Sequence, residues 1–243
     1  MRMLNQPPET IMMMIRKPGR VSLRTYILLV LLFAGSVVKA QDKDFGIWYS
    51  VSARYEVIKN LTIDISEEVR TASKASEVDQ YFTDAGLGYK LNKYISFGAY
   101  YRYIRKRETK DDFYVRNRFY GEIDLTYPFN RFELSYRFRM QRQVNEYADD
   151  VEEKAPRLYN RHKFGLEYNI PNFKLTPSVS YERFYRLKYI SSYFSSSERY
   201  GIDLNYKFNK RHRAGIGFLI DKDLHPNIDY LNVLTLSYRY SFN

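Results

Sequence analysis

The stretch Leu234-Thr235-Leu236-Ser237-Tyr238-Arg239-Tyr240-Ser241-Phe242, one residue short of the chain's last position, alternates apolar and polar side chains without a break. A period of two belongs to a β-strand with one face in an apolar medium and the other in a polar one. Working back from this stretch, the same period recurs at 45–57, 61–70, 81–91, 94–105, 115–127, 132–143, 158–170, 173–183, 200–208, 213–220 and 230–242. In 45–57, for example, Phe45, Ile47, Tyr49, Val51 and Tyr55 share one face, against Ser50, Ser52, Arg54 and Glu56 on the other. Runs of about nine residues are long enough for a tilted strand to cross a bilayer. No run has a helical period.

Composition decides what the two faces meet. The 243 residues suit one barrel of moderate size, and they hold 25 Tyr but a single Trp. Tyrosine suits an interface where its ring lies in hydrocarbon and its hydroxyl in water. A mean hydropathy of −0.54 argues against a helical membrane protein. A barrel tolerates it, because its apolar residues occupy only every second position. The competing arrangement is a soluble sandwich or lipocalin-like barrel with the apolar face inward. The abundance of Tyr on the apolar face, and charges on the opposite face of strand after strand, favour apolar outward. Cysteine is absent, so there is no disulfide framework and no thiolate chemistry.

The reading is therefore an all-β chain: a transmembrane up-and-down antiparallel β-barrel of 10–12 strands. Short connections at 59–60, 92–93, 128–131, 171–172 and 209–211 are rich in Asn, Pro and Lys, which supply tight-turn geometry. Longer polar connections fall at 71–76, 106–112, 145–156, 188–197 and 221–227. Eleven strands are directly visible. Termini left on the same side of a membrane require an even number, so twelve is expected, with 188–197 as the place to look for the missing one.

Residues 1–40 read as a cleavable signal peptide. Arg16, Lys17, Arg20 and Arg24 precede an apolar core at 26–33, and Ala34, Gly35, Ser36 and Val38-Lys39-Ala40 follow. Cleavage is expected after Ala40, leaving 41–243 as the barrel. Met12, Met13 and Met14 raise the alternative of a later start. These forty residues carry six basic side chains against Glu9, so +5 of the formal +11 resides there and +6 remains. The remaining Arg and Lys sit at alternate strand positions, not on an arm or recognition helix, so nucleic acid is not an expected partner.

With the apolar face outward, the lumen receives Arg102, Arg116, Arg118, Glu122, Glu133, Arg137, Arg139, Arg161, Glu167 and Glu182 as candidates for a constriction. Asp64, Glu68, Asp84, Asp124, Lys163, Arg199 and Asp203 share that phase. Ionisable groups in a narrow interior must be paired or hydrated. They serve either as interlocking pairs that close a structural plug or as a charged constriction that sorts solutes by sign. The sequence leaves both open.

Catalysis and metal binding find little support. His162 points outward, two residues from Asn160, but has no serine beside it to activate. His212 sits in a basic turn and His225 in a loop. Asp149, Asp150, Glu152 and Glu153 form an acidic loop that could hold Ca²⁺, read first as a solvated loop. No enzyme, no cofactor and no metal centre is expected.

Several segments recur together in one known family. They are Phe45-Gly46-Ile47-Trp48, the run from Asp84-Ala85-Gly86-Leu87 through Asn92-Lys93, Phe132-Glu133-Leu134-Ser135-Tyr136-Arg137, and Asn160-Arg161-His162-Lys163 before Leu166-Glu167-Tyr168. The chain resembles the exported β-barrel family known as domain of unknown function 2490, found in Gram-negative bacteria of the Bacteroidetes type. Its last strand also resembles the closing strand of outer-membrane barrels, whose assembly signal would here be Leu236, Tyr238, Tyr240 and Phe242. The resemblance implies an outer-membrane location and assigns no catalytic residue. The expected partners are the bilayer, lipopolysaccharide and the barrel-assembly machinery. The expected roles are a small passive pore with a charged lumen, a structural or adhesive barrel closed by ion pairs, or, as the weakest, a lipid-modifying enzyme.

Overall fold

The alternating runs become eleven strands in a computed structural model that describes residues 44–109, 112–146, 156–189, 192–224 and 228–242. They are β1 (Asp44–Ile58), β2 (Leu61–Ala72), β3 (Glu77–Lys90), β4 (Ile95–Arg107), β5 (Phe113–Phe129), β6 (Phe132–Asn145), β7 (Arg157–Tyr168), β8 (Leu175–Tyr189), β9 (Ser192–Lys207), β10 (His212–Asp223) and β11 (Asp229–Ser241). Consecutive strands pair antiparallel, and the barrel closes between β1 and β11. The signal segment 1–40, the acidic residues Asp149 to Glu153, and His225 lie outside the described residues.

The expected twelfth strand is not found among the described residues. Residues 188–197 supply the end of β8 and the start of β9. The parity argument assumed two ends on one side. Instead β1 and β11 run parallel, with Ile47 beside Leu234 and Val51 beside Tyr238. A parallel seam lets an odd number close, and it places Asp44 and Ser241 at opposite ends of the barrel.

All five short connections lie at one end, here called the lower end, and each is built on one asparagine. Asn60, Asn130 and Asn172 take φ of 70°, 55° and 58°, the left-handed region that Asn enters at least cost. Asn92 and Asn209 keep ordinary backbone and instead accept two backbone N–H groups each through Oδ1, at 2.8–3.0 Å. Turn chemistry thus fixes the register of every lower hairpin.

A row of paired residues followed from Trp48 in both directions reaches β5 at Tyr114 one way and at Pro128 the other, 14 residues apart. A stagger of 14 over eleven strands implies a tilt of about 40° and a backbone diameter of about 22 Å.

Burial is inverted relative to a soluble protein. Val51, Leu87 and Ile202 are 58%, 51% and 63% exposed, while inward Phe82 and Val233 are 2% and 0% exposed. The outward apolar residues form a band around the barrel, aliphatic in its middle with Val51, Ile65, Leu87, Ile123, Leu166, Val179 and Leu236. Tyrosines edge it. Tyr55, Tyr89, Tyr94, Tyr127, Tyr168, Tyr206 and Tyr240 mark the lower edge; Tyr49, Tyr101, Tyr103, Tyr181 and Tyr200 mark the upper. Rings on adjacent strands touch within each row, Tyr94–Tyr127 at 6.2 Å and Tyr181–Tyr200 at 5.2 Å between centroids. The two rows of Cα atoms are about 15 Å apart along the axis, and the ring widths bring the band to roughly 25 Å. Above the upper row the strands continue, and their outward residues turn polar: Arg105, Asn117, Arg142, Arg183, Glu198 and Lys222.

Inside the lower half, small residues line the wall, among them Ser50, Ser52, Ser66, Gly86, Gly98, Ser180, Gly201, Gly217 and Ser237. One large ring crosses this zone. Tyr100 lies flat over the glycines beside it, so a Cβ at Gly86 would fall 2.2 Å from Tyr100 Cδ1 and 2.4 Å from the Ala99 carbonyl oxygen. Tyr100 also stacks on Tyr120 at 5.0 Å. Replacing Gly86 by Leu is expected to cost about 1–3 kcal/mol through overpacking, seen as a lower urea midpoint for the barrel refolded into vesicles; an unchanged midpoint would show that Tyr100 is free to move aside.

Candidate functional site

The inward phase of β2, β4, β6, β7 and β9 brings an arginine to mid-height, and the stagger sets aromatic rings between the arginines. Arg70 lies 3.7 Å from the Trp48 ring centroid and 5.0 Å from that of Phe82. Arg102 lies 3.8 Å from Phe82 and 5.8 Å from Tyr120. Arg139 covers Tyr120 at 4.1 Å and Arg161 covers Phe184 at 4.4 Å. Arg199 spans Phe184 and Trp48 at 4.7 and 5.1 Å. Arg139 and Arg161 are direct register partners. Five arginines and four rings thus make a belt around the lumen, with β10 and β11 contributing Leu219 and Val233 at the same level. Each stack contributes about 0.5–2 kcal/mol.

Every belt arginine also has a carboxylate. Arg102 donates from Nε and Nη2 to the two oxygens of Asp84 at 2.8 and 2.5 Å. Arg139 donates twice to Glu122 Oε2, at 2.8 and 2.5 Å. Arg161 meets Glu182 at 2.8 Å, Arg70 meets Glu68 at 2.5 Å, and Arg199 meets Asp221 at 2.8 Å. Below the belt Arg137 pairs with Asp124 at 2.6 Å, and Arg54 with Asp64 at 2.5 Å. Pairing of this kind is what confined charge demands.

The belt is the floor of a cavity of about 1050 Å³ that extends toward the long loops. Eleven of its lining residues are Arg or Lys and three are acidic: Glu68, Glu182 and Asp223. Asp79, Asp84, Glu108, Glu122 and Asp221 pair with lining cations from the wall or rim. Counting these as well, the balance is 11 − 8, or +3. The excess has a definite location. Among the described residues, no carboxylate lies within ion-pair distance of Arg118, Arg157, Arg186 or Lys163. Arg118 instead donates to the amide oxygen of Gln143 at 2.5 and 3.2 Å. Gln143 in turn donates to Asn145 at 3.2 Å.

The ten lumen residues expected from the sequence thus divide by level. Arg102, Glu122, Arg139, Arg161 and Glu182 belong to the belt or its carboxylates. Arg137 lies just below. Arg116 and Arg118 stand above the belt, Arg116 paired with Glu108 at the rim. Glu133 and Glu167 are register partners near the lower end, away from the belt. Leu236, Tyr238, Tyr240 and Phe242 all face outward on or just beyond β11, with Phe242 edge-on to Tyr55 across the seam at 6.1 Å.

Sequence reasoning did not single out Trp48, Phe82, Tyr120 and Phe184, nor the buried amides Gln141, Gln143 and Asn145. The available signal was a ring on the polar phase, as in Ile47-Trp48-Tyr49, where three apolar residues break the alternation. His162 faces outward and shares a 2.8 Å hydrogen bond with Tyr136 through Nδ1, between the rings of Phe138 and Tyr185. His212 does the same with Tyr238 at 2.6 Å. Among the described residues no three His, Cys, Asp or Glu converge as a metal site.

The model of the family described as a protein of unknown function, DUF2490, matches residues 45–232, so the chain belongs to that family. No curated protein matches it.

Asp84→Asn leaves Arg102 in a wall where both side chains are only 10% exposed, and it is expected to cost about 3 kcal/mol. Asp84→Asn combined with Arg102→Met removes both charges and recovers most of that loss. Urea titration of the three barrels checks this, and equal stability of the Asp84→Asn and parent proteins would show the pair to be idle.

Proposed function

We propose that this family member is an integral outer-membrane barrel that passes small anionic solutes, and that the arginine–aromatic belt is its constriction. The observation that carries the reading is the charge of the cavity, where eleven cationic side chains exceed by three the eight carboxylates that line it or pair with them. A lumen wall of one sign concentrates solutes of the other and repels its own. The band of outward apolar residues between two tyrosine rows has the height and edges suited to a bilayer. In that setting the short asparagine turns face the periplasm, and the polar collar with Arg105, Arg142 and Arg183 meets lipopolysaccharide phosphates. The outward face of β11 is offered to the assembly machinery, and the leader 1–40 directs export. The role is passage, without covalent chemistry, cofactor or metal.

The completeness of the belt favours a second reading, a barrel closed by its own ion pairs. Planar-bilayer recording of the purified barrel under a KCl gradient separates the two. The proposal expects steady openings with a reversal potential on the anion side, shifted toward cations by Arg118→Glu with Arg157→Glu. Silent bilayers from barrel shown to be folded by circular dichroism would overturn it and leave the plug.

A further inference from the structure

Two kinds of arginine line the lumen, and the difference between them points to a ligand. The belt arginines are neutralised by carboxylates and immobilised on rings. Among the described residues, Arg118, Arg157 and Arg186 have no carboxylate within ion-pair distance. They belong to β5, β7 and β8, so they occupy one arc of the wall, and the strand between β5 and β7 offers amides where a carboxylate would cancel the charge. Arg118, Gln143 and Arg157 form one register row, which puts the two arginine Cα atoms roughly 10 Å apart. Gln143 is 3% exposed and holds the Arg118 guanidinium through two of its donors. Arg157 Nε is buried with no hydrogen-bond partner.

Buried donors in native proteins are ordinarily satisfied. A guanidinium aimed by a neutral amide keeps both its charge and its remaining donors for something else. Arg118, held by that amide, and Arg157 and Arg186, with no carboxylate in reach among the described residues, line one side of a 1050 Å³ space and suit an acceptor with several oxygens in more than one plane. A chloride, spherical and singly charged, offers no pair of oxygens to match a guanidinium fork.

We infer that the arc of Arg118, Arg157 and Arg186 is a binding site for a solute carrying two or more oxyanion groups, either phosphoryl groups or carboxylates. Guanidinium forks match the oxygen spacing of both. This rests on the anion-passing reading and narrows it: the lumen holds a particular class of anion before releasing it past the belt.

Calorimetric titration of the purified barrel in detergent tests the site without requiring conduction. Inorganic pyrophosphate and citrate are the two probes, with chloride as the monovalent control. One-to-one binding of at least one of the two is expected, and the stronger probe distinguishes phosphoryl from carboxylate chemistry. Arg118→Gln with Arg157→Gln is expected to weaken it roughly tenfold or more, while Arg142→Gln on the outer collar changes nothing. Arg118→Lys, which keeps the charge but loses the fork, serves if the double variant does not fold, and is expected to weaken binding by a smaller factor. No saturable heat with either probe, or binding indifferent to the lumen substitutions, would overturn the inference. A barrel that binds pyrophosphate yet stays silent in bilayers would contradict only the pore reading.

Discussion

A guanidinium taken out of bulk water needs an acceptor for its donors and a surface for its faces, and this barrel is arranged around meeting that need. Across the apolar band its outside is apolar, so at that height its charged residues are confined to a lumen about 22 Å across at the backbone. Each belt arginine obtains its acceptor from Glu68, Asp84, Glu122, Glu182 or Asp221, and its surface from Trp48, Phe82, Tyr120 or Phe184. Ion pair and ring stack act together. A carboxylate alone would fix the edge of the guanidinium and leave its faces to be solvated. The belt therefore braces the wall from within, a task that in a soluble protein falls to the hydrophobic core.

The lumen is strongly asymmetric along its axis. Serine and glycine line the lower half, with Tyr100 laid across it. The belt holds mid-height, and of the four cations with no carboxylate in reach among the described residues three, Arg118, Arg157 and Arg186, stand above it on the β5–β8 arc. Every belt arginine is paired, while the three above it have no carboxylate in reach among the described residues. The same residue type thus serves two ends, and what separates them is the neighbouring side chain: a carboxylate beside Arg102, an amide beside Arg118.

Much of this architecture was legible in the sequence. A slip of one residue exchanges the two faces of a strand, so alternation such as that at 234–242 assigned inward and outward positions along each strand. The asparagines marked the turns. The closure was harder to read, because parity arguments presume antiparallel pairing throughout, whereas β1 and β11 pair in parallel. The belt was not legible. Trp48 and Phe82 sit on the polar phase as isolated aromatics, and their placement beside Arg70 and Arg102 depends on the stagger of the barrel. Partners such as Glu122 and Arg139 were visible as opposite charges on adjacent strands, but which acid met which base required the register. Gln143 gave no warning, since a glutamine on a polar face is ordinary until its neighbour proves to be an arginine without a carboxylate.

The central claim is the assignment of faces, from which belt, cavity and charge excess all follow. The single tryptophan of the chain allows a direct test, because Trp48 is placed in the lumen and is 8% exposed. The barrel is refolded into vesicles whose acyl chains carry bromine, and the tryptophan emission is recorded. The account predicts undiminished emission from Trp48, and strong quenching when Leu236→Trp is introduced alongside Trp48→Phe. Quenching of Trp48 by the acyl bromines, with the tryptophan introduced by Leu236→Trp unaffected, would contradict it.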